Sequence, residues 1–406
     1  MLFLAFRNLS RQWVRSGMTL AAIAFGVAGL ILTGGFIRDV YHQLAEALIH
    51  SQTGHFQIAR DGYFHLGSQS PEKYLIKNPE LLAARVRQVP DVVDVMARLD
   101  FSGLLNNGET DLSVRVEGIE PERENRLGSY VRMVAGTQLP VGDPHGVLLG
   151  KGVADRLKLK SGDPVTLVTN TPEGALNTIE LTVRGVFVSA AKDYDDRIVR
   201  IPLPAAQEVL TVAGATRLVV LLQQREQTDS AVVATRALLA GNGAQPMEIS
   251  TWIQLNDFYT KTVNMYDHQF AVLQIVILVM VMLSVANAVN MSIFERTGEF
   301  GTMRALGNRS HYISRLVMLE NCLLGATGAL IGVVLGLALA VLISWIGIDM
   351  PPPPNMSQGY TAAIRVTPGI LGSAFLIGVC ATVVACVWPA LKVSKKPIVD
   401  ALRQNI

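Results

Sequence analysis

Charge is scarce in this sequence. Only 17% of its 406 residues are Asp, Glu, Lys or Arg, and 50% are hydrophobic; an ordinary soluble domain carries about 25% charged residues. That balance excludes a purely soluble protein. Cysteine is scarce too: Cys322, Cys380 and Cys386 all lie in apolar stretches. The polar half has none, so its fold cannot depend on disulfides, and no CxxC spacing offers a thiolate metal site. No GxxxxGK[ST] string occurs. The nearest, Gly150-Lys151-Gly152, lacks the Ser/Thr and the upstream glycine, so ATP hydrolysis through that loop is excluded. HExxH and GxSxG are also missing. The nearest histidines, His50, His55 and His65, are more ordinary as surface side chains than as metal ligands. No catalytic, cofactor-binding or metal-binding residues are assigned.

Four apolar runs are long enough to span a bilayer, which takes about 20 residues. They cover 18–38, 269–291, 316–348 and 369–388. Arg7, Arg11 and Arg15 ahead of the first run could form the start of a signal peptide. That run is too long, and no small-residue cleavage site follows it, so it reads as an anchor. The third run would reach about 50 Å as a helix, beyond a hydrocarbon core of about 30 Å, so its ends should protrude.

Basic residues cluster on one side of this layout. They are Arg7, Arg11 and Arg15 before the first span; Arg296, Arg304, Arg309 and Arg315 between the second and third; and Lys392, Lys395, Lys396 and Arg403 after the fourth. The loop between the third and fourth carries only Arg365. The positive-inside rule then puts 1–17, 292–315 and 389–406 in the cytoplasm, and 39–268 and 349–368 outside it. The expected location is the bacterial inner membrane. Segment 39–268 holds 28 acidic against 22 basic residues, so the charge split follows the hydropathy split.

That external segment is large enough to bury its own core. Strand signals fall at 112–117, 165–169, 179–188 and 217–222; helix signals fall at 79–89, 203–212 and 228–239. The expected fold is a membrane α-helical protein of four transmembrane helices plus an α+β extracytoplasmic domain of two subdomains. In this reading a strand-rich part at about 120–200 is inserted into an α+β unit made from the flanks. Residues 252–270 run into the second span without Gly or Pro, so one helix can begin outside and cross the membrane.

The segment between spans two and three reads E-R-T-G-E-F-G-T-M-R-A-L-G over 295–307. Met303 and Leu306 are three apart and should share a helix face with Phe300 nearby; Glu295 and Glu299 are four apart. In span three, Gly328, Gly332 and Gly336 recur every fourth residue, a row that lets another helix approach closely. Glu320 is costly in lipid unless paired, and a structural role is expected for it. Asn287 and Asn290 can hydrogen-bond across helices.

The 295–307 string resembles the cytoplasmic coupling segment of the FtsX/MacB-type (type VII) ABC transporter permeases, E-R-x-x-E-[FIY]-G-x-x-[RK]-A-x-G. It matches at Glu295, Arg296, Glu299, Phe300, Gly301, Arg304, Ala305 and Gly307. Ala5, Arg7, Asn8, Leu9 and Arg11 resemble the family's amphipathic helix before span one, and 389–403 resembles its C-terminal motif. The strings at 54–58 (GHFQI) and 147–154 (VLLGKGVA) resemble the lipoprotein-releasing, LolC/LolE-like branch.

The resemblance implies a non-catalytic permease with ATP and magnesium held by a partner ABC ATPase dimer, touched through Glu295–Gly307, Leu306 included. It implies a dimer with a second copy or a paralogue. It also implies cargo such as a lipoprotein with a periplasmic carrier or adaptor, and no nucleic acid. Export with an adaptor and outer-membrane channel, as in the MacB type, and signalling to a cell-wall hydrolase, as in the FtsX type, are the alternative functions.

Overall fold

The computed structural model describes residues 13–67, 71–127, 130–240, 246–352 and 359–394. The N-terminal motif at Ala5–Arg11 and the end of the C-terminal motif from 395 on lie outside the described residues, as do 353–358. The main elements are α1 (Trp13–Leu48), β1 (Phe56–Arg60), α2 (Pro79–Val86), β2 (Val92–Asn106), β3 (Asp111–Ile119), α3 (Pro121–Leu127), β4 (Arg132–Gly136), β5 (Gly146–Gly150), β6 (Pro164–Asn170), β7 (Leu176–Val188), β8 (Ile198–Pro202), α4 (Leu203–Leu210), β9 (Arg217–Leu222), α5 (Thr228–Ala240), β10 (Met247–Thr251), α6 (Asp257–Glu295), α7 (Thr297–Ala305), α8 (Ser310–Ile346) and α9 (Pro368–Ser394). Two compact units result. One takes residues 1–42, 262–349 and 361–406; the other takes 43–261 and 350–360.

In the first unit, four helices among the described residues are long and apolar enough to cross a membrane: Ser16–Thr53, Asp257–Glu295, Ser310–Ile346 and Pro368–Lys392, with mean hydropathy between 2.2 and 2.7. Helix α6 runs unbroken for 39 residues, about 58 Å at helical rise. Its buried stripe is narrow: Val281, Val285 and Val289, one every four residues. Most of its other side chains, Asn287 and Asn290 among them, are exposed or half-exposed. Arg365 and Ala363 meet α1 at Asp39. Asp39, 1% exposed, accepts a hydrogen bond from the Ala363 N–H (2.9 Å) and lies 3.6 Å from the Arg365 guanidinium.

The glycines of α8 pack on α1. Gly328 faces Ile23, Gly332 faces Ala24 and Val27, and Gly336 faces Ala28 and Ile31. A Cβ on Gly332 would stand 2.7 Å from Val27 Cβ and 2.8 Å from the Ala24 carbonyl oxygen. A backbone oxygen cannot swing away, so the helices must part. Gly332→Ala is therefore expected to lower stability by about 1–3 kcal/mol, and Gly332→Leu by more. Thermal unfolding in detergent checks this; a Leu variant that melts with wild type contradicts it.

In the second unit strands β1 to β10 form one sheet, ordered β10-β1-β9-β2-β3-β8-β5-β7-β4, with β6 paired to β2 and β7. The strand-rich part starts earlier than position 120. The 15-residue strand β2 pairs with β9 through Val92–Arg98, then with β3 through Leu99–Asn106, so the two halves of the sheet share it. The sequence conceals β2 because Asp94, Arg98 and Asp100 are charged yet 0–4% exposed, which breaks the apolar alternation. Helices α2, α4 and α5 and the wholly buried β9 (Arg217–Leu222) form where the sequence pattern predicts them.

His55, just past the end of α1, is 2% exposed, and its Nδ1 accepts the Leu222 N–H at 3.1 Å. Burial first, and then the neighbouring His50, push its pKa down to about 4 from 6.5. The folded state therefore holds it neutral while the unfolded chain protonates below 6.5. Its stabilisation is full above pH 6.5 and fades as pH falls toward 4, a loss of about 2 kcal/mol between pH 7 and pH 5. Unfolding at the two pH values should show that slope, and His55→Gln should remove it; an equal slope in both proteins contradicts this.

Candidate functional site

The chain breaks helical geometry at Arg296 (φ −98°, ψ 11°), directly after α6. Helix α7 follows and ends at Ala305; Gly307, with φ 94°, then turns the chain toward α8. Thr297 and Gly298 are weak helix formers, consistent with a break there. Their backbone is nonetheless held: Thr297 Oγ1 donates to the Ile293 carbonyl (2.9 Å), and the Phe300 N–H donates to the Arg296 carbonyl (3.1 Å). The Gly307 and Asn308 N–H groups close the C-terminus on the Arg304 and Met303 carbonyls.

Arg296 organises this corner. Its Nη1 donates to Glu320 Oε2 on α8 at 2.7 Å, its Nη2 lies 3.4 Å from Oε1, and its Nε donates to Glu299 Oε2 at 3.1 Å. Its guanidinium sits 5.1 Å from the centre of the Phe300 ring. Arg296 and Glu320 side chains are each 10% exposed, and Phe300 is 3% exposed within the apolar core of the helices. A two-pronged, charge-assisted pair of this kind fixes orientation as well as distance. It fastens α7 to α8, and it gives Glu320 the partner that an acidic group in an apolar helix needs.

The predicted residues divide into two sets. Arg296, Phe300 and Gly301 point inward, and Met303 and Arg304 are half-buried. Glu295, Glu299, Ala305, Leu306 and Gly307 are exposed. The expected shared face of Phe300, Met303 and Leu306 does not form, because Leu306 lies one residue past the last helical residue and is 80% exposed. Thr302 joins the exposed set. The Arg296–Glu320 contact was invisible to local spacing, since the partners stand 24 residues apart.

A second polar cluster, buried in the sheet-bearing unit, has no sequence signature. Arg98, Arg200 and Arg217 meet Asp100, Glu117 and Glu124. Arg217 reaches Asp100 (2.6 Å) and Glu117 (3.0 Å), Arg200 lies 3.4 Å from both Glu117 and Glu124, and Arg98 bonds Glu124. Burial alone would raise the Glu117 carboxyl, but Arg98, Arg200 and Arg217 outweigh it and hold the group well below the usual carboxylate range.

The FtsX-like permease C-terminal family model matches residues 271–398, and the MacB-like periplasmic core domain model matches 16–238. The chain belongs to this FtsX/MacB family and is an ABC transporter permease of type VII, a membrane protein. LolE of Haemophilus influenzae, a lipoprotein-releasing system transmembrane protein, is 22% identical over 79% of this chain and 76% of its own length. LolC of Neisseria meningitidis serogroup B, of the same description, is 22% identical over 95% of this chain and 93% of its own. The macrolide export ATP-binding/permease protein MacB of Chlorobaculum tepidum is 22% identical over 98% of this chain, which spans 60% of that protein.

Proposed function

We propose that this permease couples ATP hydrolysis in a separate ABC ATPase dimer to movement of its extracytoplasmic unit, and that the movement releases acylated lipoproteins from the inner membrane. The observation that carries the coupling is the Arg296–Glu320 pair. It holds α7 rigidly on the membrane helices while Glu299, Thr302 and Leu306 stay open to a partner. Glu295, Arg296, Glu299, Phe300, Gly301, Arg304, Ala305, Leu306 and Gly307 form the ATPase-coupling element in this reading, with Arg296 and Phe300 as its inner anchors. Gly328, Gly332 and Gly336 serve as the packing seam. The exposed amide side chains of Asn287 and Asn290 favour a second copy or paralogue against α6, because polar groups facing lipid are costly. In this reading the basic residues flanking the spans favour a cytoplasmic position for this segment.

The lipoprotein cargo rests on the length of the match to LolE and LolC. The match to MacB favours a second reading, export of a periplasmic substrate through an adaptor and channel. Reconstituting the permease with its ATPase in liposomes carrying a fluorescent triacylated lipoprotein separates the two. ATP-dependent release to a soluble carrier supports the first reading. No release, with ATP hydrolysis intact and an adaptor bound, sinks the lipoprotein reading and leaves export.

A further inference from the structure

The α1 helix does not end at Leu48. It continues as a π-helical turn, Ile49–Thr53, whose last carbonyls have no helical N–H ahead of them. Each is met by a side chain of a neighbouring strand within the same unit. Arg200 Nη2 of β8 donates to the Ser51 carbonyl (3.0 Å), and Arg98 Nη1 of β2 donates to the Gln52 carbonyl (2.6 Å). Gln57 Nε2 of β1 donates to the Thr53 carbonyl (3.0 Å), and Arg217 Nη1 of β9 holds Gln57 Oε1 at 2.9 Å. Gly54 completes the turn by donating to the Ile49 carbonyl. No side chain fits at Gly54, since a Cβ there would stand 2.8 Å from the Val220 carbonyl oxygen.

Three buried guanidiniums and three buried carboxylates already balance one another, so a cluster built only for core stability has no need of a helix end. Here Arg98 and Arg200 each direct one N–H at that end, where the helix carries partial negative charge. Charge-assisted bonds to backbone carbonyls, made by side chains that are 0–3% exposed, resist exchange with water.

We propose that Arg98, Arg200 and Gln57 form a fixed clamp on the distal end of the α1 helix, so that this end and the sheet move as one body throughout the ATP cycle. The proposal rests on the transport reading for its cycle but not for its geometry. The three are positioning residues: any bending during transport must occur elsewhere, and α1 delivers force to the strands it is clamped to.

Hydrogen exchange on the full chain in nanodiscs with its ATPase tests this, nucleotide-free and with ATP plus vanadate. Amides of residues 52–57 are expected to exchange equally in both states; a difference of about tenfold or more overturns the clamp. Arg98→Lys with Arg200→Lys is expected to speed exchange there about tenfold, and to lower lipoprotein release per ATP while hydrolysis continues. A folded double variant with wild-type exchange and release overturns it. If that variant does not fold, Gln57→Leu replaces it, with faster exchange at 52–57 expected and unchanged exchange overturning the clamp. Failure to recover any ATPase counts against the transport reading alone, because the exchange of the variants in the isolated chain still decides the clamp.

Discussion

Arg296→Met is expected to destabilise the helical unit by about 2–4 kcal/mol, because it removes two charge-assisted hydrogen bonds to a mostly buried carboxylate. Both partners are 10% exposed, so water cannot substitute for the lost guanidinium. Glu299 loses its 3.1 Å contact with Arg296 as well, and Phe300 loses its cation–π neighbour. The pair itself need not be net stabilising: desolvation offsets much of its attraction, and an apolar replacement of both partners can be nearly neutral. Arg296→Met with Glu320→Met should therefore recover most of the melting temperature while leaving α7 less rigidly held. The double variant should bind ATPase more weakly than wild type despite its restored stability. A single variant that melts like wild type would show that the pair is open to solvent and has no anchoring role.

Leu306→Asp has the opposite signature. Leu306 is 80% exposed and lies beyond the core, so its loss should leave the melting temperature within about 0.5 kcal/mol of wild type, as surface changes usually do. It is nevertheless a large exposed apolar side chain directly after α7, its N–H bonded to the Thr302 carbonyl. Seated in an interface, an aspartate there would bury an unpaired charge, which should cost about 2 kcal/mol of binding, a loss of more than about tenfold in ATPase affinity. Titrating purified ATPase onto the permease in nanodiscs measures it. Unchanged affinity would move the docking surface away from the end of α7.

The contrast between these two residues marks how far the sequence could be read. Apolar runs announce helices because a span must satisfy its own backbone and show lipid only hydrocarbon. The row Gly328, Gly332 and Gly336 announced close packing, although its partner, the Ala24–Ala28 side of α1, could not be read from spacing. Strand β9 was legible because all six of its residues are buried, five of them apolar. Strand β2 was not, because Asp94, Arg98 and Asp100 look like surface residues until their partners on α3, β3 and β9 are in place. Partners separated by 24 positions, as in Arg296–Glu320, or by more than 100, as in Asp100–Arg217, leave no local pattern. The 295–307 segment was recognisable as a string, yet which of its residues face in and which face out depends on where α7 stops.

The central claim is that this permease is driven by a separate ATPase seated on α7. A tagged chain, purified from native membranes in mild detergent beside its Leu306→Asp counterpart, tests it most directly by quantitative mass spectrometry. The account predicts an ABC ATPase in near-stoichiometric yield with the wild-type chain, and a loss of about tenfold or more with Leu306→Asp. Equal ATPase in both samples, or none with a wild-type chain that stays folded and dimeric, would contradict it.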